Sequence, residues 1–458
     1  MKNMTLRKMA QACGGVLREA GTDADAPVTA LVTDSRKAGE GCVFAAIRGA
    51  RADGHKFIPD VFAKGALGAI CEEEPETPAG SYILVGSTGQ ALKDIAEVYL
   101  RSLDIPVVGI TGSVGKTSTK EAVASVLSQK YIVGKNEGNF NNELGLPLTV
   151  FSLPDDAQIA VLEMGISDFG EMHRLAKIAR PDVCVMTNIG TCHLEFLGDR
   201  DGVLRAKSEI FDFLGPDGRV ILNGDDDKLA GIREVKGIRP VFYGLRGDQG
   251  AALQVKAEDI RDLGLEGTKC RICWEGGSAE VHIPKPGEHM VSNALAAAAA
   301  GLSMGLSPEQ IRAGVESLGS VSGRFNMIRT ERYTLIDDCY NANPMSMKAS
   351  LESLGGVQGR RTAVLGDMGE LGKDEVFYHE ETGRVAGRCG LSLLVTIGTL
   401  AASIGEKAKE EDPALCHVHF DTVDEFLAQR EDLFKDGDTV LIKASHFMHF
   451  ERIVEEMR

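Results

Sequence analysis

Residues 109–119 read GITGSVGKTST, a glycine-rich run that follows the apolar stretch PVVGIT and leads into the helical stretch EAVASVLSQK. Strand, loop and helix in that order make an anion cradle. Glycines let the backbone approach closely, and the helix start supplies free N–H groups and its positive dipole end. Gly112 and Gly115 fit that need, and Thr111, Ser113, Val114 and Ser118 complete the expected nucleotide grip. Lys116 would reach the β and γ phosphates, while the Thr117 hydroxyl would ligate Mg²⁺. The common pattern has glycine five residues before Gly115, where this chain has Ile110, so the loop is a variant. A glycine-rich turn with a surface lysine is the plainer alternative.

Mg²⁺ prefers oxygen ligands. Glu163 closes the apolar run IAVLEMG, and His193 follows another in VMTNIGTCHLEFLG. Strand ends on one side of a parallel sheet are where ligands sit, so the two together point to a metal site, although Glu163 alone reads equally as a plain loop residue and a lone His is more often structural than a ligand. Lys207, in GVLRAKSEIF, shares a helix side with Ile210 and Phe211 and should point inward. It is either a lysine whose stem lies on apolar surface with its charge in water, or a buried neutral amine. The latter could react with CO₂ to a carbamate that acts like a carboxylate towards Mg²⁺.

The elements that must position these groups fall into three blocks. A chain of 458 residues suggests roughly three domains. Block one, to about Leu103, holds the strand candidates VTALVTDSR, GCVFAAIRG and SYILVGS and a helix over 88–101, and a linker follows at 104–106. Block two alternates PVVGIT, IAVLEMG, DVCVMTNIG and GRVILNGDD with helices, the pattern of a covered parallel sheet. Its stretch 253–283 is strand-rich and should form an excursion at the sheet edge. Block three begins near Gly323 and alternates YTLIDDCY, RTAVLGDMG, SLLVTIG, HVHF and DTVLIKAS with helices, a second βαβ unit. The expected class is therefore α/β, with units at 1–104, 105–322 and 323–458.

A formal charge of −17 excludes a general nucleic-acid binder, whose target backbone would be repelled. An acidic protein that binds an anionic nucleotide needs local basic groups, N–H donors and a divalent cation. The ten cysteines are scattered, and the one close pair, Cys270 and Cys273, lies in a strand-like run that would face the two thiols apart. Free thiols in this number suit a reducing cytosol. The N-terminus lacks a signal-peptide core, and no stretch reaches the ~18 apolar residues of a membrane span, so a cytoplasmic protein is expected.

The order of TGSVGKTS, EGNFNNELGLPLTV, EMGISDFGEM, TNIGTCHLEFLG, AKSEIF, GEHMVSNALAAAA, SGRFN, DDCYNANPMSM and GDMGELG resembles that of the Mur ligases, the ATP-dependent amino-acid ligases of peptidoglycan precursor synthesis. The likeness extends to TDSRKAGEGCVFAAIRGARADGH near the start. It implies a uridine-nucleotide-binding N-terminal domain, a central P-loop ATPase domain and a Rossmann-like C-terminal domain that closes over the site about residues 321–323. NNELGLP, the EMG–GEM stretch, the tyrosine of YNANP and GDMGELG imply UDP-MurNAc-tripeptide and D-Ala-D-Ala as substrates beside ATP. The products would be UDP-MurNAc-pentapeptide, ADP and phosphate.

The resemblance also implies roles. Thr117 and Glu163 would bind the ATP-linked Mg²⁺, while His193 and a carbamylated Lys207 would hold a second one near the acyl group. Asn293 would contact adenine, Arg324 the phosphates and Asp338 the ribose. Asn142 would help place the muramoyl substrate, and Asp34, Ser35 and Arg36 would contact UDP, although Asp34-Ser35 also reads as a simple turn or helix cap. A monomer is implied. Competing readings are the ligase adding the third amino acid, a folylpolyglutamate synthase, and a P-loop switch that only hydrolyses nucleotide. His446, Phe447, His449 and Phe450, in KASHFMHFERIV, fit a dipeptide pocket or closed interface and a core-and-cap role equally well.

Overall fold

The computed structural model describes residues 1–49, 52–75 and 79–458. Ala50 and Arg51, within the N-terminal motif, lie outside them. The strands form three separate sheets of five, nine and six strands, giving the three-unit α/β architecture that the alternation predicts.

In the five-stranded sheet, Leu31–Val32, Val43–Ala45, Gly68–Cys71 and Ser81–Leu84 run parallel, and Val16–Arg18 adds antiparallel at the edge. The expected strand VTALVTDSR shortens to two residues. Asp34 ends it by accepting from the Arg36 N–H and starting a single turn over Ser35–Lys37. Helix Thr88–Leu103, capped by Ser87, covers the sheet and ends at Asp104 in the left-handed conformation, just before the first strand of the second unit.

That unit is built on Val107–Thr111, flanked by Ile159–Glu163 and Val183–Met186, with all three parallel. These strands are buried along their full length, as their unbroken apolar runs require. One face is covered by helix Lys116–Leu127, and the alanine-rich helix Glu288–Ser303 packs into the same core. The alanines at 294 and from 296 to 300 let it lie close. The stretch 253–283 forms the expected excursion. Val255–Asp262 continues the parallel edge, then Thr268–Trp274 and Gly277–Ile283 fold back antiparallel. Cys270 is buried and Cys273 partly exposed, so the two thiols sit apart on opposite strand faces, and all ten cysteines are free.

The third unit places Thr334–Asp337, Thr439–Lys443, Arg361–Gly366, Leu393–Ile397 and Cys416–Phe420 in parallel, with Asn326–Arg329 antiparallel at the edge. Helix Pro344–Gly355 opens with a capping box in which Asn343 and Ser346 satisfy each other's backbone N–H. The last helix, Glu451–Glu456, turns Ile453 and Val454 inward as its pattern predicts. No helix among the described residues is long and apolar enough to cross a membrane.

Candidate active site

The glycine loop leaves the C-terminal end of strand Val107–Thr111 and turns into helix Lys116–Leu127. Gly112 has φ +149, and a Cβ there would stand 1.9 Å from Thr187 Oγ1, so only glycine fits. Gly115 follows at φ +82. The loop is stitched to the neighbouring strand end. Ser113 N–H donates to Asn188 O over 3.0 Å, Val114 N–H to Asn188 Oδ1 over 2.9 Å, and Thr187 Oγ1 to Val114 O over 2.6 Å. Thr111 is fully buried and its hydroxyl donates to Met164 O.

Two loop N–H groups expected to face phosphate are thus committed to Asn188. The anion cradle contracts to the first turn of the helix, from Lys116 to Ser118, whose N–H groups have no intrahelical partner. Lys116 Nζ lies back over the loop, 2.9 Å from Gly112 O.

Thr117 and Ser118 open onto a cavity of about 300 Å³ shared between the second and third units, whose walls include Asn293, Arg324 and Asp338. Asn293 Oδ1 accepts from Thr119 Oγ1 at 2.9 Å, tying the alanine-rich helix to the phosphate helix. The Arg324 guanidinium sits 4.1 Å over the Tyr340 ring, a stacking that holds it at the unit boundary. Asp338 is heavily engaged. It accepts from Phe325 N–H and Ser350 Oγ, and Lys443 Nζ lies 2.7 Å away. Sequence reasoning missed Lys443, although it stands in the strand DTVLIKAS as the one cation of an otherwise apolar, buried run. Burial pushes its pKa down, partly offset by Asp338.

Glu163 ends its strand 1 % exposed. Asn141 Nδ2 donates to its Oε1 at 2.7 Å, and Oε2 is buried with no hydrogen-bond partner. Asn136 holds the loop carrying Asn141 against this strand end: its Oδ1 accepts from Glu163 N–H, and its amide donates to Phe140 O and Glu163 O. Asn142, the neighbouring residue, instead braces the turn into helix Gly145–Phe151 by accepting from Leu144 and Gly145 N–H. The asparagine-rich motif flagged this loop but did not distinguish which amide serves the carboxylate.

His193 adopts the left-handed conformation at φ +52. Its Nδ1 lies 2.7 Å from Glu370 Oε2, close in distance but poorly aligned for a hydrogen bond. The imidazole lowers the Glu370 carboxyl pKa. Lys207 is 0 % exposed and its Nζ has no partner, so the water-reaching alternative fails for this residue. Burial lowers its pKa to about 8, with repulsion from Lys116 adding and Cys192 opposing. No three His, Cys, Asp or Glu side chains cluster as a metal site among the described residues. The orphaned Glu163 Oε2 nonetheless fits a hard cation, and the orphaned Lys207 amine fits a group that would add oxygens to it.

Lys116, His193 and Ser113 border a second cavity of about 350 Å³, closed on its other side by Glu370, His446 and Phe447 of the third unit. Of the tail motif, His446 stacks on Tyr340 and Phe447 is largely exposed, whereas Phe450 is fully buried in the core. The core reading therefore holds for Phe450, while His446 and Phe447 line the cavity and His449 is exposed beside Glu451. Asn142, Asp34, Ser35 and Arg36 line neither cavity. Asp34 forms a two-point ion pair with the exposed Arg36, which drops its pKa to about 2.

A glycine loop on a parallel sheet, faced by a second nucleotide-type unit across a shared cleft, defines a nucleotide-dependent multidomain α/β enzyme. Three family models match in sequence: "Mur ligase family, catalytic domain" over residues 27–112, "Mur ligase middle domain" over 110–301 and "Mur ligase, glutamate ligase domain" over 323–446. The UDP-N-acetylmuramoyl-tripeptide–D-alanyl-D-alanine ligase of Bacillus subtilis is 36 % identical over 93 % of this chain and 92 % of its own length. The enzyme of the same name from Escherichia coli is 32 % identical over 100 % and 99 %. Among solved structures, MurF from Acinetobacter baumannii superposes with a TM-score of 0.88 at 33 % identity, covering 99 % of this chain and 98 % of that one. MurF ligase from Thermotoga maritima in complex with ADP superposes at 0.81 and 30 % identity, covering 93 % and 96 %. The chain belongs to the Mur ligase family.

Proposed function

We propose that this protein joins the terminal carboxylate of UDP-MurNAc-tripeptide to the amine of D-Ala-D-Ala at the expense of ATP, a step of peptidoglycan precursor synthesis. The observation that carries the reading is the pair of adjoining cavities. One is bounded by the phosphate helix, Asn293 and Asp338, and the other by Lys116, His193 and the third unit. ATP and the substrate carboxylate can therefore meet at the glycine loop, whose residues line both cavities. Residues 1–104, 105–322 and 323–458 act as the uridine-, ATP- and amine-side units respectively.

A carboxylate is a poor electrophile because its charge repels the amine and oxide is a very poor leaving group. Its oxygen therefore first attacks the γ phosphorus of ATP, the bond to the β-phosphate oxygen breaks, and ADP departs. The amine nitrogen then attacks the acyl carbon, the carbon–oxygen bond to phosphate breaks, and the nitrogen loses its proton. Lys116 swings from Gly112 O to the γ phosphate and neutralises charge where two anions must meet. The first-turn N–H groups of residues 116–118 hold the β phosphate. Asn293 faces the adenine, Arg324 the phosphates, and Asp338, held by Lys443, the ribose.

Thr117 and Glu163 would hold one Mg²⁺, and His193 with a carbamylated Lys207 a second. Such ions polarise phosphoryl and acyl oxygens. The chain's own contribution is to hold Glu163 with Asn141 and, by burying Lys207, to lower its pKa to about 8 so that a larger fraction of the amine is neutral than in water. A neutral amine can add to CO₂ through its nitrogen lone pair and then release a proton. Asn142 and the Asp34–Arg36 group serve the UDP-muramoyl substrate. The test is an omission series: phosphate release should require both UDP-MurNAc-tripeptide and D-Ala-D-Ala and equal the amide formed. Release that ignores both would indicate a nucleotide switch.

A further inference from the structure

The cavity between Lys116 and Phe447 presents a charge problem. Its cationic or potentially cationic groups are Lys116, His193 and His446, and Glu370 is the only carboxylate among its described lining residues. The amine substrate arrives at neutral pH as an ammonium ion, which the Lys116 ammonium repels. It needs one anionic contact close to His193, where the activated acyl group would sit.

Glu370 is placed for that contact by a firmly held loop. Met368 N–H donates to the buried His379 Nε2 at 2.9 Å, Gly369 N–H donates to Ser445 Oγ at 2.9 Å, and Met368 and Leu371 are buried on either side. Glu370 itself takes φ +59, an unusual backbone for a side chain with a Cβ, and this turns its carboxylate across the cleft to His193. No other third-unit carboxylate reaches this cavity among the described residues. Beside it, Phe447 is 58 % exposed and forms an apolar wall that has no partner in the core.

We propose that Glu370 receives the ammonium group of the incoming amine, with Phe447 packing against its small apolar side chains. The inference rests on the ligase reading and names the residues of its amine subsite. An ammonium at Glu370 replaces His193 as the carboxylate's partner, which sets the nucleophile beside the acyl site and frees the imidazole.

The test uses full-length Glu370→Gln and Phe447→Ala beside the wild type, with D-Ala-D-Ala as amine and with hydroxylamine, which is uncharged at neutral pH, as an alternative nucleophile. Glu370→Gln should raise the KM for the dipeptide by about 30-fold or more, because an ammonium loses its charged partner. It should leave the KM for ATP and UDP-MurNAc-tripeptide unchanged and still form hydroxamate. Phe447→Ala should narrow the preference for D-Ala-D-Ala over glycylglycine. An unchanged dipeptide KM in Glu370→Gln, or hydroxamate formation that falls in step with ligation, overturns the proposal. A wild-type protein that makes neither amide nor hydroxamate instead overturns the ligase reading beneath it.

Discussion

Asn141 donates to Glu163 Oε1 over 2.7 Å, leaving the buried Oε2 of the same carboxylate without a partner. One oxygen is held and the other is open, the arrangement expected of an oriented metal ligand. Asn141→Ala should therefore keep the fold but raise the Mg²⁺ concentration for half-maximal activity by about 10–100-fold. Asn142→Ala, which does not touch the carboxylate, should leave that value near wild type. A Mg²⁺ titration of both variants separates the two residues.

The buried Lys207 amine has no hydrogen-bond partner, so no structural contact of that amine is lost when it is replaced. Lys207→Met preserves the volume and removes an orphaned polar atom. Its melting temperature should not fall, while activity should drop on the order of 10³-fold. Carbon-13 NMR of the wild type in labelled bicarbonate should show a carbamate resonance that Lys207→Met lacks.

The legible part of this chain was its repeating pattern. Apolar runs ending in glycine loops or acidic residues marked the strands of the second and third units, because parallel strands buried on both faces tolerate little else. The N-terminal unit was harder to read. Its strand Leu31–Val32 is cut short by the Asp34 cap, and the short strand Gly68–Cys71 and the helix Leu6–Cys13 carry too few periods to stand out. At the site, Gly112, Lys116 and Glu163 were readable from spacing. Asn141, Lys443 and Glu370 were not, since each acts through a partner far along the chain: Glu163, Asp338 and His193 respectively.

Gly112 cannot accept a side chain, because its Cβ would fall 1.9 Å from Thr187 Oγ1 at a backbone angle that disfavours one. Gly112→Ala should displace the loop from residues 187 and 188 and abolish nucleotide binding by calorimetry. Glycine loops whose conformation is merely convenient would tolerate the change with a small loss.

Lys443 and Asp338 form a buried ion pair, 2 % and 10 % exposed at the side chain. Removing one partner strands the other, so Lys443→Met should destabilise by about 3–5 kcal/mol and weaken ATP binding together. Denaturant unfolding and nucleotide titration of this variant test both effects.

His379 is fully buried, and its Nε2 accepts from Met368 N–H, which requires the neutral ring. Burial holds its pKa below the ordinary 6.5, as it does for His289 and His417. Below that value the unfolded chain binds more protons than the native one, so stability is present above 6.5 and declines as pH falls towards the folded pKa. Urea midpoints at about pH 7.5 and about pH 5.5 should differ less in His379→Gln than in the wild type.

The central claim is that ATP activates a carboxylate on this chain. Its most direct test places ¹⁸O in the terminal carboxylate of UDP-MurNAc-tripeptide, supplies ATP, Mg²⁺ and D-Ala-D-Ala, and weighs the inorganic phosphate by mass spectrometry. An acyl phosphate hands one carboxylate oxygen to the phosphate, so each phosphate released should carry one label from a doubly labelled carboxylate. Unlabelled phosphate would mean that water, not the substrate carboxylate, attacked ATP, and would contradict the account.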